Sequence, residues 1–174
     1  MKNLLWLALL PFLAYNCTKE NQKQVLFDMV YQVDLEIPAG LNTIEDHFFV
    51  FRNVTSTFDS LLSFHGYTRE DIGEVNPKSV QLTALYAGEE YGFVQELSLN
   101  LIDEDNNGFR SEAFWRNEVP FNTGGILEAP GTLINAKSFF LEPQFDFELR
   151  LDTRQFTDTF ISTRLIFSFV VRAD

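Results

Sequence analysis

The stretch VLFDMVYQVDLEI, residues 25–37, alternates between apolar and mostly polar side chains. Apolar residues fill the seven odd positions from Val25 to Ile37, and four of the six even positions carry Asp, Gln or Glu. Successive side chains of a strand point to opposite faces, so a period of two is typical of a strand with one buried and one wet face. The stretch therefore predicts a half-buried strand.

The same alternation recurs along the rest of the chain. A denser run at His47–Val54 is apolar at consecutive positions, which is typical of a strand covered on both faces and predicts a central strand. About seven or eight strands in a chain of this length favour an all-β fold, an antiparallel β-sandwich of immunoglobulin-like or related type. The other alternating stretches are Val80–Tyr86, Leu97–Leu101, Phe109–Trp115, Phe145–Leu151 and Phe160–Arg172.

Three segments interrupt the strands. Residues 57–65 place apolar side chains at helical spacing, and Gly66 is suited to end a helix there. Thr68–Asp71 has the form of a capping box, which predicts a second short helical turn. Residues 117–143 are rich in Pro and Gly and predict a crossing between two sheets.

Length and charge limit the class of protein. The chain has 174 residues, enough for one domain, and its net charge is −12 with a pI near 4.5. An acidic chain is a poor partner for phosphate backbones and anionic lipid, so we expect no nucleic-acid binding. Most of the nineteen Phe residues are expected in the core.

The first seventeen residues resemble a bacterial lipoprotein signal. Lys2 precedes an apolar run from Leu4 to Leu13, which is too short to span a bilayer, and Cys17 is the only cysteine. The resemblance implies a signal peptide at 1–16, acylation (palmitate among the chains) of Cys17, a polar tether at 17–24 and one domain at 25–174. A plain secretory signal with an incidental cysteine is the alternative. Anchoring in the cell envelope, at the outer membrane, follows from the first interpretation.

One acidic loop has the spacing of a calcium site. Asp103, Asp105 and Asn107 occupy alternate positions before Gly108, the carbonyl of Phe109 follows, and Glu112 could add a carboxylate. The twelfth position of a full calcium loop is Phe114 instead of Glu, and an acidic hairpin turn explains the same residues. No other cofactor is expected.

Other polar clusters carry weaker signals. His47 follows Glu45 and Asp46, which suits a metal or an acid–base pair but is also common on surfaces. His65 is expected to cap or pack a helix end. The acidic pairs Glu70–Asp71 and Glu89–Glu90 could serve a glycosidase, yet their spacing matches a solvated surface equally well. No phosphate loop, serine-hydrolase or zinc-protease motif is present, so we expect no enzyme and assign no catalytic residue.

Residues 37–49 are similar to a segment of small Bacteroidota lipoproteins of β-sandwich type. The resemblance implies an envelope protein and brings no activity to named residues. We expect a non-catalytic binding module for an envelope protein assembly, with a surface glycan binder as the alternative. Clustering of exposed Trp115, Tyr67 and Tyr91 at one end would favour a glycan, and a flat apolar patch would favour a protein partner.

Overall fold

The structure is a computed structural model that describes residues 23–174, apart from the side chain of Asp105. The predicted signal peptide, Cys17 and most of the tether lie outside the described residues. No helix within residues 23–174 has the length and apolar character needed to cross a membrane.

Eight strands form two four-stranded sheets. The strands are β1 (Val25–Ile37), β2 (His47–Thr55), β3 (Ile72–Ala84), β4 (Val94–Asp103), β5 (Phe109–Arg116), β6 (Ile126–Pro130), β7 (Gln144–Thr153) and β8 (Ile161–Ala173). The first sheet has the order β1-β8-β3-β6 and the second has the order β2-β7-β4-β5. One helix, α1 (Phe58–His65), and three short 3-10 turns (Arg69–Asp71, Glu104–Asn106 and Lys137–Phe140) lie between strands.

The pairing pattern identifies the topology. First and last strands pair, β1 with β8, and the pairing continues inward through β2 with β7, β3 with β6 and β4 with β5, all antiparallel. Contacts of β3 with β8 and of β4 with β7 complete the sheets. This is the double-sheet arrangement of a jelly roll. The predicted antiparallel β-sandwich is confirmed, and its connections are those of a jelly roll instead of an immunoglobulin domain.

Because every pairing is antiparallel, the connections divide between two ends of the sandwich. The loop end consists of the four loops 38–46, 85–93, 117–125 and 154–160, which follow the odd-numbered strands. The tether end carries residues 23–24, where the described chain begins, together with the connections that follow the even-numbered strands. The thirteen residues of β1 separate the two ends by about 40 Å.

Aromatic side chains fill the core between the sheets. Tyr31 stacks on Phe167 with ring centroids 5.3 Å apart, and Phe147 meets Phe167 edge-on at 4.8 Å. Such ring pairs add stability beyond their buried area. The expectation that most Phe residues lie in the core is met only in part. Nine are buried: Phe27, Phe58, Phe93, Phe114, Phe140, Phe145, Phe147, Phe167 and Phe169. Six others are exposed: Phe48, Phe64, Phe109, Phe121, Phe156 and Phe160.

Strand β2 corrects one prediction. It was expected to be central, but it is an edge strand of the second sheet. Its outward side chains Phe48 and Val50 are 54% and 43% exposed. The consecutive apolar residues therefore reflect an apolar outer stripe and not burial on both faces.

A β-bulge in β5 changes which residues face the core. Leu99 pairs with Phe114 while Asn100 pairs with Glu112, so Ala113 is an extra residue. One extra residue moves the following side chains to the opposite face. Phe114 is consequently buried, and Trp115 turns outward, 43% exposed, on the same face as Glu112. The sequence alternation placed Trp115 with Ala113 instead.

The helical predictions are confirmed. Helix α1 ends at Gly66, which adopts a positive φ of 76° as a C-cap. The 3-10 turn at Arg69–Asp71 has the predicted capping box, in which the Asp71 carboxylate accepts from the Thr68 backbone N–H at 2.7 Å. The segment 117–143 crosses between the sheets as predicted, and it also contains the short edge strand β6, which had no sequence signal.

Candidate functional site

The outer face of the second sheet presents ordered rows of side chains. In one row Phe48, Arg150, Ser98 and Trp115 lie side by side across the four strands. The next row consists of Val50, Glu148, Asn100 and Glu112. Apolar groups thus flank the first row at both edges, and polar groups fill the middle of both rows.

Glu148 lies at the centre of this face and is buried. Its side chain is 2% exposed, and the guanidinium of Arg110 donates to both carboxylate oxygens at 3.0 and 3.2 Å. The hydrogen bond to Glu148 raises the pKa of Arg110, so the guanidinium remains charged at neutral pH. A buried carboxylate is stable when it is paired in this bidentate geometry.

Arg150 connects three neighbours on the same face. Its guanidinium donates to Ser98 Oγ and Asp46 Oδ2, each at 3.1 Å, and also to Glu96. These bonds fix the long Arg150 side chain in one orientation. Together with the Arg110–Glu148 pair, they give the face a set of polar groups whose positions are determined before any ligand arrives.

A depression of about 590 Å³ lies over these residues. We call it the Glu148 pocket, and its lining comes from all four strands and the loop before β2. The lining residues are Asp46, Phe48, Ser98, Asn100, Arg110, Glu112, Glu148 and Arg150.

Two polar side chains of the Glu148 pocket have unused hydrogen-bonding capacity. Within residues 23–174, neither the Asn100 amide nor the Glu112 carboxylate has a hydrogen-bond partner, and the same holds for the Trp115 indole N–H beside them. Partial burial raises the pKa of Glu112. These groups can accept and donate bonds to a bound molecule.

The loop end is a second candidate surface. Exposed apolar side chains occur in all four of its loops: Ile44, Leu85, Tyr86, Phe121, Phe156 and Phe160. Phe121 and Phe156 line one depression of about 330 Å³. Exposed aromatic residues in this number on the tips of adjacent loops are typical of an interaction surface.

Hydrogen bonds join the four loops to one another. Gly40 N donates to Thr157 O at 2.7 Å, Tyr91 N to Gly124 O at 2.9 Å, and Arg154 N to Phe93 O at 2.8 Å. The Arg154 guanidinium lies 4.2 Å from the centroid of the Phe121 ring. The exposed rings are therefore carried on loops that are tied together.

Charge at the loop end is mostly negative. The four loops contain one basic residue, Arg154, and six acidic residues: Glu45, Asp46, Glu89, Glu90, Glu118 and Asp158. The two carboxylates proposed for a glycosidase, Glu89 and Glu90, line the same depression as Phe121 and Phe156.

The aromatic cluster that would have favoured a glycan at one end is not formed. Tyr91 is fully buried and donates to Thr163 Oγ1 at 2.9 Å, and burial raises the pKa of Tyr91 to about 12. Tyr67 packs against the core. Trp115 alone is exposed, and it lies on the sheet face away from the other two.

The predicted calcium residues divide between two places. Asp103 Oδ1 accepts from Asn106 N at 3.2 Å and caps the turn of the β4–β5 hairpin, in which Asn107 has a φ of 55°. Glu112 lies in β5 opposite Asn100, in the Glu148 pocket, and Phe109 pairs with Asp103 at the hairpin base. Among the described side chains, which exclude that of Asp105, no group of three or more acidic, His or Cys residues could hold a metal ion.

Calcium binding therefore stays a prediction with a simple test. If the loop binds calcium, EDTA lowers the thermal midpoint and millimolar calcium restores it, because a ligand of the native state stabilises that state. A midpoint that responds to neither reagent would contradict the prediction.

Both histidines have structural contacts. His47 Nε2 is 2.8 Å from the carbonyl oxygen of Asn42, and Glu45 lies in the turn before β2 instead of beside His47 on a strand. His65 stacks on Phe27 with ring centroids 5.0 Å apart. The expectation that His65 packs a helix end is confirmed. The Glu148 pocket had no sequence signal, because its polar strand residues are typical of the solvent-facing side of β4, β5 and β7.

Comparisons with known proteins give only distant likenesses. No protein-family model matches the chain, and no curated protein matches it. Among solved structures, the capsid asymmetric unit of cyanophage Pam1 is 9% identical over 89% of this chain and 98% of its own, with a TM-score of 0.40. The BFDV capsid protein is 9% identical over 85% and 97%, with a TM-score of 0.34. Latent PorU from Porphyromonas gingivalis is 13% identical over 88% of this chain and 14% of its own, with a TM-score of 0.29.

Proposed function

We propose that this protein is a non-catalytic interaction module of the bacterial envelope, anchored in the outer membrane by lipid on Cys17. Its loop end docks on a protein whose surface is basic and apolar. The observation that carries the proposal is the set of exposed apolar residues, four of them aromatic, on four loops that are hydrogen-bonded to one another.

Rigidity and charge together define the partner. Loops that are already ordered lose little conformational entropy on binding, so rings such as Phe121 and Phe156 suit the role of anchors in a protein interface. Glu89, Glu90 and Asp158 line the same depression as these rings, and this negative charge favours a partner that brings Lys or Arg. An acidic partner would be repelled by this end.

The position of the tether supports the same orientation. The described chain enters the domain at the tether end, where Ala173 N donates to Gln24 O at 2.9 Å. A lipid on Cys17 therefore places the loop end on the far side of the domain, about 40 Å from the start of β1. A non-catalytic role is consistent with the structural contacts of His47 and His65.

Anchoring is tested with the full chain and its Cys17→Ala variant, expressed in a bacterium and labelled with radioactive palmitate. We expect label and membrane association for the native chain and neither for the variant. Release of both forms into the soluble fraction would overturn the anchor and leave a secreted protein.

Docking is tested by placing a photo-crosslinking amino acid at Phe156 or Tyr86 of the full chain in the bacterium of origin. Ser79, exposed on the first sheet, is the matched control site. We expect a covalent adduct with one protein from the loop-end sites only, weakened by salt and by Phe121→Ser, and a basic surface on that protein. Equal adducts from Ser79, or no adduct from the loop end, would contradict the proposal.

A further inference from the structure

The Glu148 pocket has features that the proposed docking at the loop end does not use. It lies on a sheet face, and hydrogen bonds hold both of its Arg side chains. Exposed Phe48 lines one edge, and exposed Trp115 lies just outside the lining, beside Ser98 on the other edge strand. Its volume of about 590 Å³ is within the usual range of small-molecule sites.

The arrangement of charge selects the kind of ligand. Each cation of the pocket is already paired, Arg110 with Glu148 and Arg150 with Asp46 and Glu96. An anionic ligand would find no free cation and would meet an excess of carboxylates. A cationic ligand would find one unpaired carboxylate, that of Glu112. A neutral polar ligand is the best match.

The unused groups specify that ligand further. The Asn100 amide offers two donors and an acceptor, Glu112 offers acceptors, and the Trp115 indole offers a donor. A hydroxyl group both donates and accepts, so a molecule with several hydroxyl groups can satisfy this mixture. Sugars provide such hydroxyls at the ring edge together with apolar C–H faces.

Phe48 and Trp115 lie where they can pack against the apolar C–H faces of a sugar. Phe48 and Trp115 lie in the same row on the two edge strands, with Arg150 and Ser98 between them. Three strand spacings separate them, about 14 Å. An extended ligand crossing the strands can pack against one ring at each edge while its hydroxyl groups face the polar centre.

We propose that the outer face of the second sheet binds a neutral oligosaccharide in the Glu148 pocket, with Trp115 and Phe48 as packing surfaces and Asn100 and Glu112 as hydrogen-bonding groups. Arg110 and Glu148 act as positioning residues, since their pair is complete without a ligand. This site shares only Asp46 with the loop end and does not depend on the protein partner proposed there.

The test uses the purified full chain and short neutral oligosaccharides built from glucose, xylose, mannose or galactose, with binding measured by calorimetry. We expect at least one series to bind, and we expect Trp115→Ala and Asn100→Ala each to weaken binding by about tenfold or more. Gln81→Ala on the outer face of the first sheet and Phe156→Ser at the loop end are the matched controls and should bind as the native chain does.

Three outcomes would overturn the proposal. They are the absence of binding to every neutral series, binding that survives both Trp115→Ala and Asn100→Ala, and a preference for acidic sugars over neutral ones. Thermal midpoints of the variants identify a general loss of folding, and Glu112→Gln supplies a second, isosteric variant that should weaken binding without changing the fold.

Discussion

The outer faces of the two sheets carry the same kind of ion pair in different surroundings. On the first sheet Arg164 donates to both carboxylate oxygens of Asp34 at 2.8 and 2.9 Å, and Asp34 is 51% exposed. On the second sheet Arg110 makes the equivalent pair with Glu148, which is 2% exposed. Both sheets have four strands and both cover the same core. The difference comes from strand position, because Asp34 lies on the edge strand β1 whereas Glu148 lies on β7, between β2 and β4. Glu148 therefore has a neighbouring strand on each side, Val50 in β2 and Asn100 in β4.

The largest difference in stability is expected between two single variants, each of which removes one of these carboxylates. Glu148→Ala loses charge-assisted hydrogen bonds and leaves a vacated volume, so we expect a loss of about 2–3 kcal/mol in the free energy of unfolding, or roughly 4–12 °C in the thermal midpoint. Asp34→Ala removes an exposed pair and should leave the midpoint nearly unchanged. Equal losses in thermal denaturation would show that the two faces do not differ in the way described.

Two serine hydroxyl groups, one on the outer face of each sheet, allow the same comparison with a smaller expected change in stability. Ser98 is 1% exposed and accepts from Arg150 Nε at 3.1 Å, whereas Ser79 is exposed and lies 3.1 Å from Ser168 Oγ. Ser98→Ala is expected to cost about 1 kcal/mol because the half-buried Arg150 Nε–H loses its partner. Ser79→Ala should cost much less, since water can replace the hydroxyl. Urea denaturation of both variants measures the difference, and a Ser98→Ala midpoint equal to the native one would weaken the case for a fixed Arg150.

Strand identity could be read from the sequence where one face is apolar throughout. The alternation holds in β7 and β8 and in β1 from Phe27 onward, because their inward residues meet the core. At the start of β1 the register shifts between Val25 and Phe27, and Val25 is exposed. The helix and the capping box followed from local chemistry. Sheet order did not follow, because pairing of β1 with β8 joins residues more than a hundred positions apart.

The candidate site was hidden for a related reason. In the sequence Glu148 occupies a wet-face position between Asp146 and Arg150, and its burial depends on neighbours contributed by β2, β4 and β5. Trp115 reaches the same face only because the bulge at Ala113 shifts the alternation. Neither the burial of Glu148 nor the bulge at Ala113 can be predicted from the neighbouring residues in the sequence.

The smallest expected effect is a pair of opposite pH dependences. Burial raises the pKa of Glu112 above its ordinary value, so its charged form is disfavoured in the native state, and stability is lost as the pH rises through that pKa. The Arg164 hydrogen bond lowers the pKa of Asp34, so the Asp34 carboxylate stabilises the native state at neutral pH, and this stabilisation is lost as the pH falls through the lowered pKa.

The two variants should therefore respond to pH in opposite directions. Glu112→Gln should raise the thermal midpoint at pH 7 and have no effect well below pH 4. Asp34→Asn should lower the midpoint slightly at pH 7 and likewise lose its effect in acid. Midpoints of the three proteins across this pH range measure both signs. A Glu112→Gln variant that is less stable at pH 7 would mean that the Glu112 carboxylate is well solvated or paired, which would also remove the argument that it is available to a ligand.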